Sequence, residues 1–119
     1  MTARRWSSVL VFVPAAALTS VFFINLCGTI FCCGCASLWS GADADCNIHR
    51  AGSRHCPWCM HGQVNSAIPW LLIVVAQAAI SFWPRPMPAA MRFVLVFTAF
   101  PVAGAVLALA YGLSVDYWK

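Results

Sequence analysis

Three apolar runs, Trp6–Leu26, Ser66–Trp83 and Phe93–Leu113, contain no charged side chain. An α-helix rises about 1.5 Å per residue and the hydrocarbon core of a bilayer is about 30 Å thick, so each run is close to spanning length. A helix on the surface of a soluble domain needs a polar face, and none of the three runs supplies one. Charged residues make up 8% of the 119, against about a quarter in soluble domains. The expected fold is therefore an all-α membrane protein, a single domain over residues 1–119. It has three transmembrane helices and a Cys/His-rich extracytoplasmic loop, residues 27–65, between the first two.

The boundaries of these spans are set by local chemistry. The first run follows Arg4 and Arg5 and continues past the "AAA" at Ala15–Ala17, too far for the apolar core of a cleaved signal, so a retained helix is expected. It could extend toward Trp39, because "CGTIFCCGCASLW" is also apolar. Gly28 and Gly34 favour a break instead, with a short interfacial or re-entrant element whose sulfurs face protein. The second run is slightly short, takes Asn65 or Ser66 as its N-cap, holds Pro69 in its first turn and is stopped by "PRPMP". Pro101 predicts a kink in the third.

Orientation follows from the basic residues. Arg4, Arg5, Arg85 and Arg92 flank one side with no acid among them, whereas Arg50, Arg54 and Lys119 share the other with Asp43, Asp45 and Asp116. The first side is expected to be cytoplasmic, with the N-terminus inside, the C-terminus outside and the chain in the inner (plasma) membrane. The seven Lys and Arg residues are scattered, so no basic stripe suits nucleic acid. Gly104, Ala108 and Gly112 form a small-residue stripe on the third helix and Ala16 and Ser20 a shorter one on the first, which predicts close packing on a neighbour. Gln77 and Ser81 share a face of the second helix, as expected of an interhelical hydrogen bond. The lipid bilayer and other membrane subunits are the expected partners.

The outer loop carries the chemistry. "CNIHRAGSRHCPWCMH" places three cysteines and three histidines between Cys46 and His61. Cys46 and His49 stand at x2 spacing, Gly52 allows a turn, and Cys56 and Cys59 repeat the spacing, so two pairs can close a tetrahedral zinc site. Cys27, Cys32, Cys33, Cys35, His55 and His61 are secondary ligand candidates. Both sets of cysteines lie in one narrow layer at the outer boundary, and one connected cluster is expected. Disulfides are the plain alternative outside the membrane, but seven cysteines are an odd number and histidines add nothing to a disulfide.

Other chemistries are weaker matches. The "CPWC" dithiol beside His55 resembles the working pair of membrane disulfide oxidases and vitamin K epoxide reductases, which implies thiol-disulfide exchange by Cys56 and Cys59. Those proteins surround a quinone with four or more spans. Cys27, Cys32 and Cys35 match the C-x4-C-x2-C spacing of a plant-type iron-sulfur site. Met60 after Cys59 excludes covalent haem attachment. Adjacent Cys32 and Cys33 resemble small three-span mercuric transport proteins in layout, which implies heavy-metal ion transport, yet no cysteine pair lies on the cytoplasmic side to receive the ion. With only three acids, hydrolytic acid-base work has no constellation. The leading expectation is a small accessory or docking subunit of a membrane complex with a structural metal in its outer loop.

Overall fold

The computed structural model describes residues 2–60 and 63–119. It contains three helices, α1 (Ala3–Phe31), α2 (Gln63–Ser81) and α3 (Ala89–Ser114), with two short 3-10 turns, Leu38–Ser40 and Asn47–His49, between α1 and α2. There is no strand among the described residues. The molecule measures 54 × 30 × 21 Å.

The helices differ from the expected runs at their ends. Helix α1 passes through Pro14 and Gly28 and stops at Phe31, five residues beyond the expected end and well short of Trp39. The stop is a left-handed turn at Cys32, φ 48°. Gly34 follows at φ 88°, a backbone that favours glycine, and any Cβ there would strike the carbonyl oxygen of Asp45. The chain therefore folds back beneath the end of α1. Helix α2 begins at Gln63, ahead of Ser66, so Pro69 lies inside it and beyond the first turn. Asn65 does not cap α2 but ties down the connector: its Nδ2 donates to the Pro57 carbonyl at 3.1 Å and the Trp58 carbonyl at 3.3 Å.

Helices α1 and α3 run the same way and α2 runs back between their ends. At one end, Arg4 Nη2 donates to the carbonyls of Trp83, Pro84 and Arg85, and Arg92 Nη1 donates to Ser8 Oγ at 3.2 Å. At the other, Tyr117 beyond α3 donates to the Phe31 carbonyl at 2.7 Å. Midway, Thr19 Oγ1 donates to Gln77 Oε1 at 3.0 Å and Gln77 Nε2 donates to the Val96 carbonyl at 3.2 Å. One amide thus joins all three helices. Trp70 Nε1 adds a bond to Ser20 Oγ at 3.1 Å.

The stripe on α3 serves two neighbours. Gly104, Ala108 and Gly112 are all buried, but a Cβ on Gly104 would meet Leu26 of α1, while one on Gly112 would meet the Trp118 ring. Helices α1 and α3 are long and apolar enough to cross a membrane, whereas the apolar part of α2, Asn65–Ser81, is shorter. Only 11% of the most apolar window of α1 and 17% of that of α3 is buried. The core helix of a soluble domain would bury most of it, so apolar side chains such as Leu10, Val102 and Val106 face outward.

Candidate metal centre

The end of α1 and the connector bring cysteines from three separate segments together. Cys27 occupies the last turn of α1, Cys33 and Cys35 the fold-back after it, and Cys46 and Cys56 the returning chain. The Sγ atoms of Cys27, Cys33 and Cys56, all buried, lie within 4.8 Å of one another, and those of Cys33, Cys35 and Cys46 form a second such group. Cys33 belongs to both. These groups are positioned to hold a metal ion. A tetrahedral ion with metal–sulfur bonds of about 2.3 Å keeps its sulfurs about 3.8 Å apart; here Cys27 and Cys33 are 3.8 Å apart and Cys27 and Cys56 3.3 Å.

Asn47 holds this layer together. Its backbone N–H donates to the Cys33 carbonyl at 2.6 Å, its Oδ1 accepts from the Cys56 N–H at 2.9 Å, and its Nδ2 donates to Tyr117 Oη at 3.2 Å. Gly28 permits the close approach: a Cβ there would lie 2.6 Å from the Cys35 carbonyl oxygen. An aromatic wall closes one side. Trp58, fully buried, stacks on Phe23 at 4.9 Å and meets Phe31 edge-on at 5.3 Å, and Phe31 in turn meets Tyr117 and Trp118. Arg54 Nη1 donates to the Tyr117 carbonyl at 2.6 Å. Burial pushes Tyr117 up to about 12, so its hydroxyl stays protonated and remains a donor to Phe31.

The thiols polarise one another. Hydrogen bonds from Cys27 and Cys56 pull Cys33 well below the ordinary thiol range against the opposing effect of burial. The same two neighbours bring Cys59 down to about 4. Burial first, with neighbouring cysteines, pushes Cys46 up to about 12. For Cys56 the bond with Cys27 lowers the pKa, but Cys33, Cys59 and burial outweigh it and the net shift is upward. The thiolate is the form that binds metal, and Cys33 and Cys59 are the two whose neighbours favour it. A cavity of about 460 Å³ adjoins the centre, with Cys27, Cys35, Cys59, Asp43, His49 and Trp58 in its wall.

Of the quartet expected first, Cys46 and Cys56 are buried in the centre, in different groups that meet at Cys33. Cys59 contacts it through Cys27 and Cys56. His49 is set apart: its Nε2 lies 3.6 Å from Asp43 Oδ2 and its side chain is 55% exposed. His55 is exposed, and His61 lies outside the described residues. Cys27, Cys33 and Cys35, the boundary cysteines, enter the cluster, and Cys27 and Cys33 give it two of its four buried sulfurs. Cys32 does not, because the left-handed turn directs it outward, where its Sγ meets the Thr29 carbonyl at 3.8 Å. The Cys27, Cys32 and Cys35 iron-sulfur spacing is therefore not assembled as one site. Spacing alone did not single out Asn47 or Tyr117; a polar Asn directly after a buried cysteine was the available signal. No protein-family model, curated protein or solved structure matches the chain, so the site is read from its own geometry.

Proposed function

We propose that the chain is a small multi-pass protein of the inner (plasma) membrane whose outer end is folded around a structural, thiolate-bound metal ion, zinc by its chemistry, and which serves as an accessory or docking subunit of a larger membrane assembly. The observation that carries the metal reading is the convergence of Cys27, Cys33 and Cys56 from three segments, with Cys35 and Cys46 joined through Cys33. Buried thiols at this spacing gain little from one another, whereas a dication stabilises several thiolates at once and releases their protons.

In this reading α2 is the third span. If α1 and α3 cross in the same direction, the segment joining them must return, and 19 residues reach about 28 Å, close to the hydrocarbon thickness of about 30 Å. The four arginines at the other end favour a cytoplasmic position for that end and a periplasmic one for the centre. The docking role draws on the outward apolar faces of α1 and α3.

One observation favours a second reading, thiol-disulfide exchange by Cys56 and Cys59. Cys59, held down to about 4, is only half-buried and lines the cavity, as an attacking thiolate would. Metal analysis and thiol titration of the full chain purified in detergent separate the two. The structural reading expects stoichiometric zinc, thiols that react only after chelation apart from the outward Cys32, and loss of the metal in Cys33→Ser. A stable, metal-free protein whose Cys56–Cys59 pair cycles between dithiol and disulfide would replace it with the enzyme.

A further inference from the structure

The opposite end of the bundle holds a buried cation with no counter-charge. Arg92, in the first turn of α3, is 4% exposed. Its Nη1 donates to Ser8 Oγ at 3.2 Å, and its Nε, also buried, has no hydrogen-bond partner. A guanidinium does not release its proton in a protein, and a buried unpaired charge is costly. Ser8 is a neutral acceptor that is itself turned toward the Arg4 carbonyl.

Arg92 and Arg4 line one cavity of about 280 Å³, completed by Ser7, Pro86, Met87 and Ala89. A second, of about 660 Å³, has Arg4, Arg5 and Ser8 in its wall. No carboxylate lines either one. The three acids of the chain, Asp43, Asp45 and Asp116, lie in the connector and beyond α3 at the far end. Two guanidinium groups line one cavity, Arg4 with its Nη2 already donating to the Trp83, Pro84 and Arg85 carbonyls and Arg92 with a buried Nε–H that has no partner among the described residues, and the planar fork of arginine matches phosphate oxygens two at a time.

We infer that the Arg4–Arg92 cavity binds a phosphate group. This site is independent of the cysteine centre. Exposed Trp6 and Trp83 flank it in the manner of side chains that sit at lipid headgroups, so the phosphate can come from an anionic phospholipid or from free inorganic phosphate.

Native mass spectrometry of the full chain tests both sources, using dioleoylphosphatidylglycerol against dioleoylphosphatidylcholine in one arm and inorganic phosphate against chloride in the other. The expected result is preferential retention of one phosphatidylglycerol, or of phosphate, with about tenfold weaker retention in Arg92→Gln and none of that loss in Arg50→Gln at the far end. Preference for phosphatidylglycerol alone assigns the site to lipid, and competition by phosphate assigns it to the free ion. If Arg92→Gln does not fold, Arg92→Lys keeps the charge without the fork and is expected to lose the preference. Equal retention of the anionic and control probes by the unmodified chain, or undiminished preference in the folded Arg92 variant, would overturn the inference.

Discussion

Asn47 is the residue on which the outer end depends most. It contributes no ligand, yet its side chain joins the Cys56 backbone to Tyr117 Oη and its N–H fixes the Cys33 carbonyl. Two side-chain hydrogen bonds at about 1 kcal/mol each make Asn47→Ala about 2 kcal/mol less stable. Metal retention against a chelator should fall with it, by about tenfold or more, while helical content stays unchanged. Asn47→Asp keeps the acceptor for Cys56 but loses the donor to Tyr117, so its effect should be intermediate. A chelator titration of the three proteins that gave the same curve would show Asn47 to be a bystander. The residue scale is also where sequence was least informative. The x2 pairs marked Cys46, Cys56 and Cys59, but of the two pairs Cys56 and Cys59 meet in space while Cys46 meets Cys33 and Cys35 instead of His49. Cys33 could not be ranked that way, since its place comes from the left-handed turn at Cys32 and the reversal at Gly34. His49 looked like a ligand by spacing, but the 3-10 turn from Asn47 to His49 carries its ring toward Asp43.

At the level of elements, apolar runs were enough to read three helices, but not their ends. Their lengths were harder, because "CGTIF" is equally at home in helix and connector. Only the backbone at Cys32 decides where α1 stops. The α3 stripe was legible as a packing surface, but not its division between Leu26 and Trp118, since spacing identifies a face and not what covers it. That division makes a prediction for Gly104. A methyl group there meets only the end of the flexible Leu26 side chain, so Gly104→Ala should cost less than about 1 kcal/mol. Gly104→Leu must push α1 and α3 apart and should cost about 1–3 kcal/mol, as overpacking does elsewhere. Thermal unfolding in detergent reads both, and equal melting temperatures for the two variants would contradict the close α1–α3 contact.

Across the whole molecule, the four arginines with no acid among them, Arg4, Arg5, Arg85 and Arg92, lie at the end opposite the sulfurs. The parallel course of α1 and α3 makes the count of crossings a matter of parity. If both cross in the same direction, the segment that joins them must cross back, and the two ends of the described chain lie on opposite sides of the membrane. A reporter placed after Lys119 should therefore register as periplasmic and one placed before Arg4 as cytoplasmic; matching signals from both positions would show that α1 and α3 do not both cross the membrane. The Tyr117–Phe31 bond has a consequence of another kind, in the order of biosynthesis. Tyr117 follows Phe31 by 86 residues, which at ordinary elongation rates takes roughly 4 to 17 s. Every cysteine has left the ribosome before the ring that covers them is made. If the centre lies on the oxidising side of the membrane, as proposed, the sulfurs meet it uncovered, and early capture of an ion would keep them from pairing wrongly until the cover arrives.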